Sequence, residues 1–291
     1  MRFLTNLWRL LRPHHWVKNA FVFSGILFAN AWRQPGTFVK VILAAVAFSL
    51  IASGVYASND LSDREEDRNH PKKKHRPVAS GAISGVSAMV IAVLLWSAGV
   101  AVGYSVSLRV MVVLLVYLVI NGAYSLGLKN VVLLDVFIIA SGFMLRILAG
   151  TVGVGIPPSQ WLFLCGLMIT LFLGFTKRRA ELYTATDKGS DQRKVLEHYT
   201  PVLLDKMIVI TATGVILTYS LYTMSPVTIQ VHHTEALIYT VPFVMYGIFR
   251  YIFLLHHRAT GADPTLEVFR DPHILFSILG WLFVTLWLIA R

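Results

Sequence analysis

The chain has 291 residues, 56% hydrophobic and only 14% charged, with a formal net charge of +11 at pH 7 and a mean hydropathy of +0.64. A water-soluble domain carries about 25% charged residues, so the composition excludes one and indicates a polytopic membrane protein. The excess of Lys and Arg then sets topology and meets anionic lipid, not nucleic acid, and a single cysteine, Cys165, excludes a disulfide framework.

Residues 1–18 are basic and amphipathic, and a spanning run follows without the small-residue site at which a signal peptide is cut. Trp16 by itself suits an interfacial anchor. Arg12, Lys18 and Asn19 are more than an anchor needs, and they suit a lipid phosphate or part of a diphosphate.

A membrane-crossing helix needs about 20 apolar residues. Nine runs qualify: 19–33, 38–58, 84–104, 107–126, 131–153, 159–176, 203–223, 235–256 and 272–290. The first is short and interrupted by Gly25, and Pro226 and Pro242 predict kinks at the seventh and eighth. With the amino terminus inside, twenty of the 26 Lys and Arg lie on the inner side, four outside, and Arg146 and Arg250 within spans. That asymmetry selects a cytoplasmic amino terminus. The expected fold is all-α: one transmembrane domain over 1–291, with about nine helices around a central cavity. Charged patches after the second and sixth spans suggest two related halves.

The second span runs into Asn59, Asp60, Asp63, Glu65, Glu66 and Asp67, and a basic run ending in Arg76 and Pro77 follows. On one helix Asp60, Asp63 and Asp67 share a face. Three carboxylates so placed repel one another unless a cation lies between them, and hard oxygen ligands suit magnesium, which brings phosphate or diphosphate with it. The plain alternative is a solvated loop whose acids balance the neighbouring lysines. Glu65 and Glu66 point elsewhere on the helix.

Around the fourth hairpin lie Asn121, Tyr124, Lys129, Asp135 and Arg146. Tyr124 and Lys129 suit a phosphate at the cavity rim. Asp135 and Arg146 are about three turns apart on one face, consistent with a site or with a buried ion pair that fixes packing. After the sixth span come Lys177, Arg178, Arg179 and Glu181. Adjacent cations fan around a helix end, so only one or two face inward; they bind phosphate or anchor the inner face. The pairs His14–His15, His232–His233 and His256–His257 are read as interfacial. Tyr183, Glu197 and Tyr199 are candidates to cover the cavity.

Nine spans with NDxxDxxxD after the second (Asn59, Asp60, Asp63, Asp67) resemble the UbiA-type intramembrane prenyltransferase superfamily over nearly the whole chain. Its quinone-forming members carry a second aspartate-rich motif after the sixth span, where this chain has KRRAEL (177–182). That departure, with RPxxWxKN (Arg12 to Asn19) and YSLGLKN (Tyr124 to Asn130) followed by Asp135, is similar to the decaprenyl-phosphate phosphoribosyltransferase branch.

The resemblance implies transfer of phosphoribose from phosphoribosyl diphosphate to a polyprenyl phosphate, with Mg2+ as cofactor, in a bacterial cytoplasmic membrane with the site facing the cytoplasm. Asp60, Asp63 and Asp67 would hold the metal and diphosphate, with Asn59, Tyr124 and Lys129 supporting the donor. Lys177 and Arg178 would take the 5-phosphate, and Arg12 and Lys18 the lipid phosphate or the diphosphate. Asn19, Asp135, Arg146 and Glu181 complete the expected site. Membrane lipid is the other expected partner, and a homo-oligomer is compatible with the chain. An aromatic prenyltransferase is the alternative, and its second acidic motif is missing. A polyprenyl-phosphate transporter needs polar groups at both faces, and the outer side holds little charge.

Overall fold

Backbone polar groups in lipid must find partners within their own segment, so apolar runs of this length close into helices. The computed structural model describes residues 2–70, 73–186, 194–257 and 270–290, and every regular element among them is helical. Eight helical stretches among them are long and apolar enough to cross a membrane. Lys72, Lys188, Arg193 and Arg258, all counted on the inner side above, lie outside the described residues. The chain divides into two compact units.

The first unit comprises residues 1–129 and 141–158. It holds α1 (Arg2–Leu11), α2 (Ser24–Phe28), α3 (Thr37–Ser62), α4 (Arg64–Asn69), α5 (Gly85–Val106) and α6 (Leu108–Leu126). The later half of α7 (Leu134–Ala149) also belongs to it. The central helix is α3, which buries Val41, Ala44, Ala47, Phe48 and Ile51 and packs along α5. Small residues let the two backbones approach. A Cβ at Gly54 would lie 2.5 Å from the Trp96 indole nitrogen, and one at Gly99 would lie 2.7 Å from Ile51. Ser84 and Ser107 cap α5 and α6, accepting from the amides of Ser87 and Val110.

The expected first span, 19–33, is not one continuous helix. Pro13–Phe23 winds as a 3-10 helix, α2 follows, and a single turn, Ala31–Arg33, comes after Asn30 in the left-handed region at φ 51°. Backbone crowding accompanies the break. Gly25 lies against the Gly150 carbonyl, and a Cβ on Gly150 would fall 1.7 Å from the Val22 carbonyl oxygen.

The second unit comprises residues 130–140 and 159–291. It holds the start of α7, then α8 (Gln160–Thr186), α9 (Pro201–Met224), α10 (Pro226–His232), α11 (Val241–His257) and α12 (Pro272–Ala290). Its core is built from Phe172, Phe175, Leu204, Ile208, Val215 and Leu254. The expected kinks are helix starts instead. Pro226 opens α10 and Pro242 lies in the first turn of α11, where a missing N–H costs no intrahelical bond. Asp271 opens α12, accepting from the amides of His273 and Ile274 at 3.1 Å and from Arg250 Nη2 at 2.8 Å.

Candidate functional site

The acid motif stands where α3 ends. Asp63 closes α3, its amide bonded to the Asn59 carbonyl at 2.9 Å, and α4 begins at the next residue. The single shared face expected for Asp60, Asp63 and Asp67 is therefore broken at Asp63. Asp60 and Asp67 turn inward, each 1% exposed, while Asp63 remains about one-third exposed and accepts from Lys129 Nζ at 3.2 Å. Glu65 and Glu66 are exposed, as expected, and Glu65 pairs with Arg68.

Two arginines neutralise the buried acids. Arg12 Nη2 donates to Asp60 Oδ1 at 2.5 Å. Arg76 Nη1 donates to Asp67 Oδ2 at 2.6 Å and lies 3.3 Å from Asp60 Oδ1. Arg12 stands between the end of α1 and Pro13. A residue before proline is pushed out of the right-handed helical region; α1 stops at Leu11, and Arg12 takes φ 50°, ψ 58°. Its guanidinium also lies 5.1 Å from the centre of the Tyr56 ring. A cleft of about 360 Å³ opens here, lined by Arg9, Arg12, Asp60, His75, Arg76 and Pro77. Beside it Asn59 Oδ1 accepts from Ser125 Oγ at 2.8 Å, next in sequence to half-buried Tyr124. Lys18 is half-buried in the 3-10 helix, and Trp16 donates to Ser53 at 3.0 Å.

Among the described residues, no three acids, histidines or cysteines converge so as to hold a metal ion. The expected triad is instead a pair, Asp60 with Asp67, spanned by a guanidinium. The pair nevertheless fits a hard cation. Asp60 Oδ2 is buried without a hydrogen-bond partner, and a buried carboxylate oxygen left so is short of one positive neighbour.

Asn19 and Arg146 form a separate cluster inside the first unit. Arg146, 4% exposed, donates from Nε to Asn19 Oδ1 at 2.8 Å, from Nη1 to the Gly142 carbonyl at 2.7 Å, and from Nη2 to Tyr117 at 3.2 Å. Asn19 in turn donates to Ser49 at 2.7 Å. The rings of Phe48, Tyr117 and Phe143 stand 4.9 to 5.6 Å from the guanidinium carbon. The ion pair contemplated between Asp135 and Arg146 does not form. Eleven residues share a helix face but span about 16 Å of rise, beyond side-chain reach.

Asp135 belongs to the second unit. Its Oδ2 accepts from Arg178 Nε at 2.5 Å and its Oδ1 from the Tyr199 hydroxyl at 2.8 Å. Arg178 also pairs with Glu181. Of the three adjacent cations, Arg178 is the wholly buried one, Arg179 turns to Asp205 at 3.0 Å, and Lys177 is half-buried. Tyr199 accepts from the Leu133 amide at 2.8 Å. Burial, and the Asp135 carboxylate it serves, hold the Tyr199 phenol above the usual tyrosine range, so it remains a donor. Tyr183 and Glu197 are exposed, and His232 is buried against Tyr222 at 2.9 Å while its neighbour His233 is exposed.

Sequence reasoning passed over Arg76, Arg9 and Ser125. The available signal for Arg76 was its identity. It is an arginine closing a run of lysines, and a planar guanidinium suits a bridge between carboxylates where an ammonium does not.

The profile of the UbiA prenyltransferase family matches residues 19–270. The decaprenyl-phosphate phosphoribosyltransferase of Corynebacterium glutamicum is 34% identical over 283 residues, 94% of this chain and 84% of that protein. That of Mycobacterium tuberculosis is 36% identical over 218 residues, 74% of this chain and 72% of that protein. Among solved structures, a UbiA homolog from Archaeoglobus fulgidus bound to GPP and Mg2+ superposes with a TM-score of 0.74 at 17% identity, covering 98% of this chain and 100% of that one.

Proposed function

The chain belongs to the UbiA prenyltransferase family of integral membrane transferases, and from that premise we propose that it is a polyprenyl-phosphate phosphoribosyltransferase. It transfers the 5-phosphoribosyl group of phosphoribosyl diphosphate to a polyprenyl phosphate of decaprenyl type, releasing diphosphate. The product, polyprenyl-phosphoryl-5-phosphoribose, is a precursor of lipid-linked arabinofuranose. The observation that carries this reading is the identity of 34% and 36% to relatives of that activity over most of the chain. KRRAEL in place of a second acidic motif supports it.

The chemistry asks little of a base. The acceptor is a phosphate monoester, already anionic at neutral pH. One of its oxygens forms the new bond to the anomeric carbon, and the bond from that carbon to the diphosphate breaks, its electron pair leaving with the diphosphate. The protein must therefore position both anions and stabilise the departing charge. Asp60, Asp63 and Asp67 are assigned to Mg2+, which when bound neutralises the leaving diphosphate. A metal held by Asp60 and Asp67 would supply the positive neighbour that the buried Asp60 Oδ2 lacks. Asn59, Tyr124 and Lys129 hold the donor on the side of α6. Arg12 and Lys18 meet the lipid phosphate or the diphosphate.

In the second unit Lys177 is assigned the 5-phosphate by the motif it occupies, with Arg178 fixed behind it by Asp135 and Glu181. Asn19 and Arg146 support the site from the interior by holding the segment that carries Arg12 and Lys18. The positive-inside balance supports a cytoplasmic face for the acid motif, and the membrane proposed is a bacterial cytoplasmic one.

Purified protein with labelled phosphoribosyl diphosphate, polyprenyl phosphate and magnesium tests the assignment. Lipid-extractable label that EDTA abolishes is expected. Label that stays in the aqueous phase, alongside prenyl transfer from a prenyl diphosphate to an aromatic acid, overturns it.

A further inference from the structure

One nitrogen of Arg76 serves two buried carboxylates. Nη1 lies 2.6 Å from Asp67 Oδ2 and 3.3 Å from Asp60 Oδ1. A cation bridging the two acids for a metal–diphosphate complex would need this place. Two carboxylates that are each 1% exposed are costly without compensating charge. The arginines supply that charge when nothing else is bound, with Arg12 on the same Asp60 oxygen.

The arginine side chains are nonetheless reachable. Arg12 is 20% and Arg76 27% exposed, and both line the cleft together with Arg9. Nε and Nη2 of Arg76 make no hydrogen bond among the described residues, so most of its donor fork remains available. Beside them Asp60 Oδ2 is buried and unpartnered. One small space thus offers ligand oxygen for a cation and guanidinium donors for an anion.

We propose that Arg76 is an exchangeable counter-ion. It bridges Asp60 and Asp67 while the donor is absent, and turns its guanidinium to the phosphates when a divalent cation takes the two carboxylates. The inference rests on the reading of Asp60 and Asp67 as metal ligands. Its consequence is obligatory coupling. A free cation must displace Arg76 into an empty cleft, and a free diphosphate must draw arginines away from uncompensated acids. The cation–diphosphate pair exchanges every partner at once, charge for charge. Each ligand therefore tightens the other, and linkage makes the two effects equal.

The test measures binding rather than turnover. Free Mn2+ is followed by electron paramagnetic resonance in the detergent-purified full chain, with and without inorganic diphosphate. In the wild type, diphosphate tightens Mn2+ by about tenfold or more, in the range usual for coupled sites. Arg76→Gln binds Mn2+ alone about tenfold more tightly, because its competitor is gone, and loses most of the response to diphosphate. Arg76→Lys keeps the charge and stays nearer the wild type in Mn2+ affinity.

Wild-type Mn2+ affinity indifferent to diphosphate overturns the exchange, whatever the variants do. So does an Arg76→Gln protein, eluting as the wild type does, whose affinity for Mn2+ alone is unchanged or weaker. No Mn2+ binding by the wild type even with diphosphate overturns the metal site itself, a different result from either.

Discussion

Arg178 and Asp135 meet at 2.5 Å, Nε to Oδ2, with neither side chain exposed, although 43 residues separate them in sequence. The pair ties the start of α7 to the later part of α8, and Tyr199 closes it from the other carboxylate oxygen. A charge so buried depends on its partner. Arg178→Met leaves Asp135 without its cation and is expected to destabilise the protein by about 3–5 kcal/mol. The double variant Arg178→Met, Asp135→Leu is expected to recover much of that loss. Thermal unfolding of both variants in detergent reads the difference, and equal losses in the two would show that the pair has no such role.

The acid motif divides by burial. Asp60→Asn and Asp67→Asn each remove a charge that the site uses and are expected to lower phosphoribosyl transfer by roughly 100-fold or more, the scale of a lost electrostatic contact to a leaving group. Asp63→Asn is also expected to slow transfer. It should do so without loss of stability, because Asp63 is a third exposed and its one ion pair among the described residues is with Lys129. Full activity in Asp63→Asn would remove it from the metal set.

Arg146 has no acidic partner among the described residues, only an amide, a phenol, a carbonyl and three rings. Asn19→Leu takes away the acceptor at Nε and is expected to cost about 1–3 kcal/mol, the penalty for an unsatisfied buried donor. Asn19→Asp restores an acceptor and adds the missing charge, so it is expected to unfold at a higher temperature than Asn19→Leu. The reverse order would mean that the Nε contact contributes nothing.

Asp271 supplies a pH-dependent share of stability. The hydrogen bond from Arg250 and the amides of the first turn of α12 hold its carboxyl below the usual range, against the opposing effect of burial. A carboxyl depressed in the folded state contributes stability that is fully present above its unfolded value of about 4 and is lost as pH falls through the folded value. Unfolding midpoints of the wild type and Asp271→Asn between neutral and acid pH are expected to differ most at neutral pH and to converge below the folded value. A gap that stays constant with pH would contradict the assignment.

The sequence by itself determined the membrane class, eight of the nine expected helical runs, the acid motif and the branch motifs. These are local quantities: apolar length fixes a span, and spacing fixes which way a side chain leaves its own helix. It did not determine partners. Asp135 and Arg146 share a face of α7 yet belong to separate clusters, and Asp63 turns away from the acids beside it because α3 ends there. Arg76 belongs among the site residues only because its loop folds back beneath Asp60 and Asp67. Asn19 meets Arg146 from 127 residues away. Whether a buried charge finds a carboxylate, an amide or an aromatic ring depends on which helices pack together. That choice is set by close approaches between helices, such as Gly150 on the Val22 backbone and Gly99 on the Ile51 side chain, which act between distant segments and leave no period in the chain.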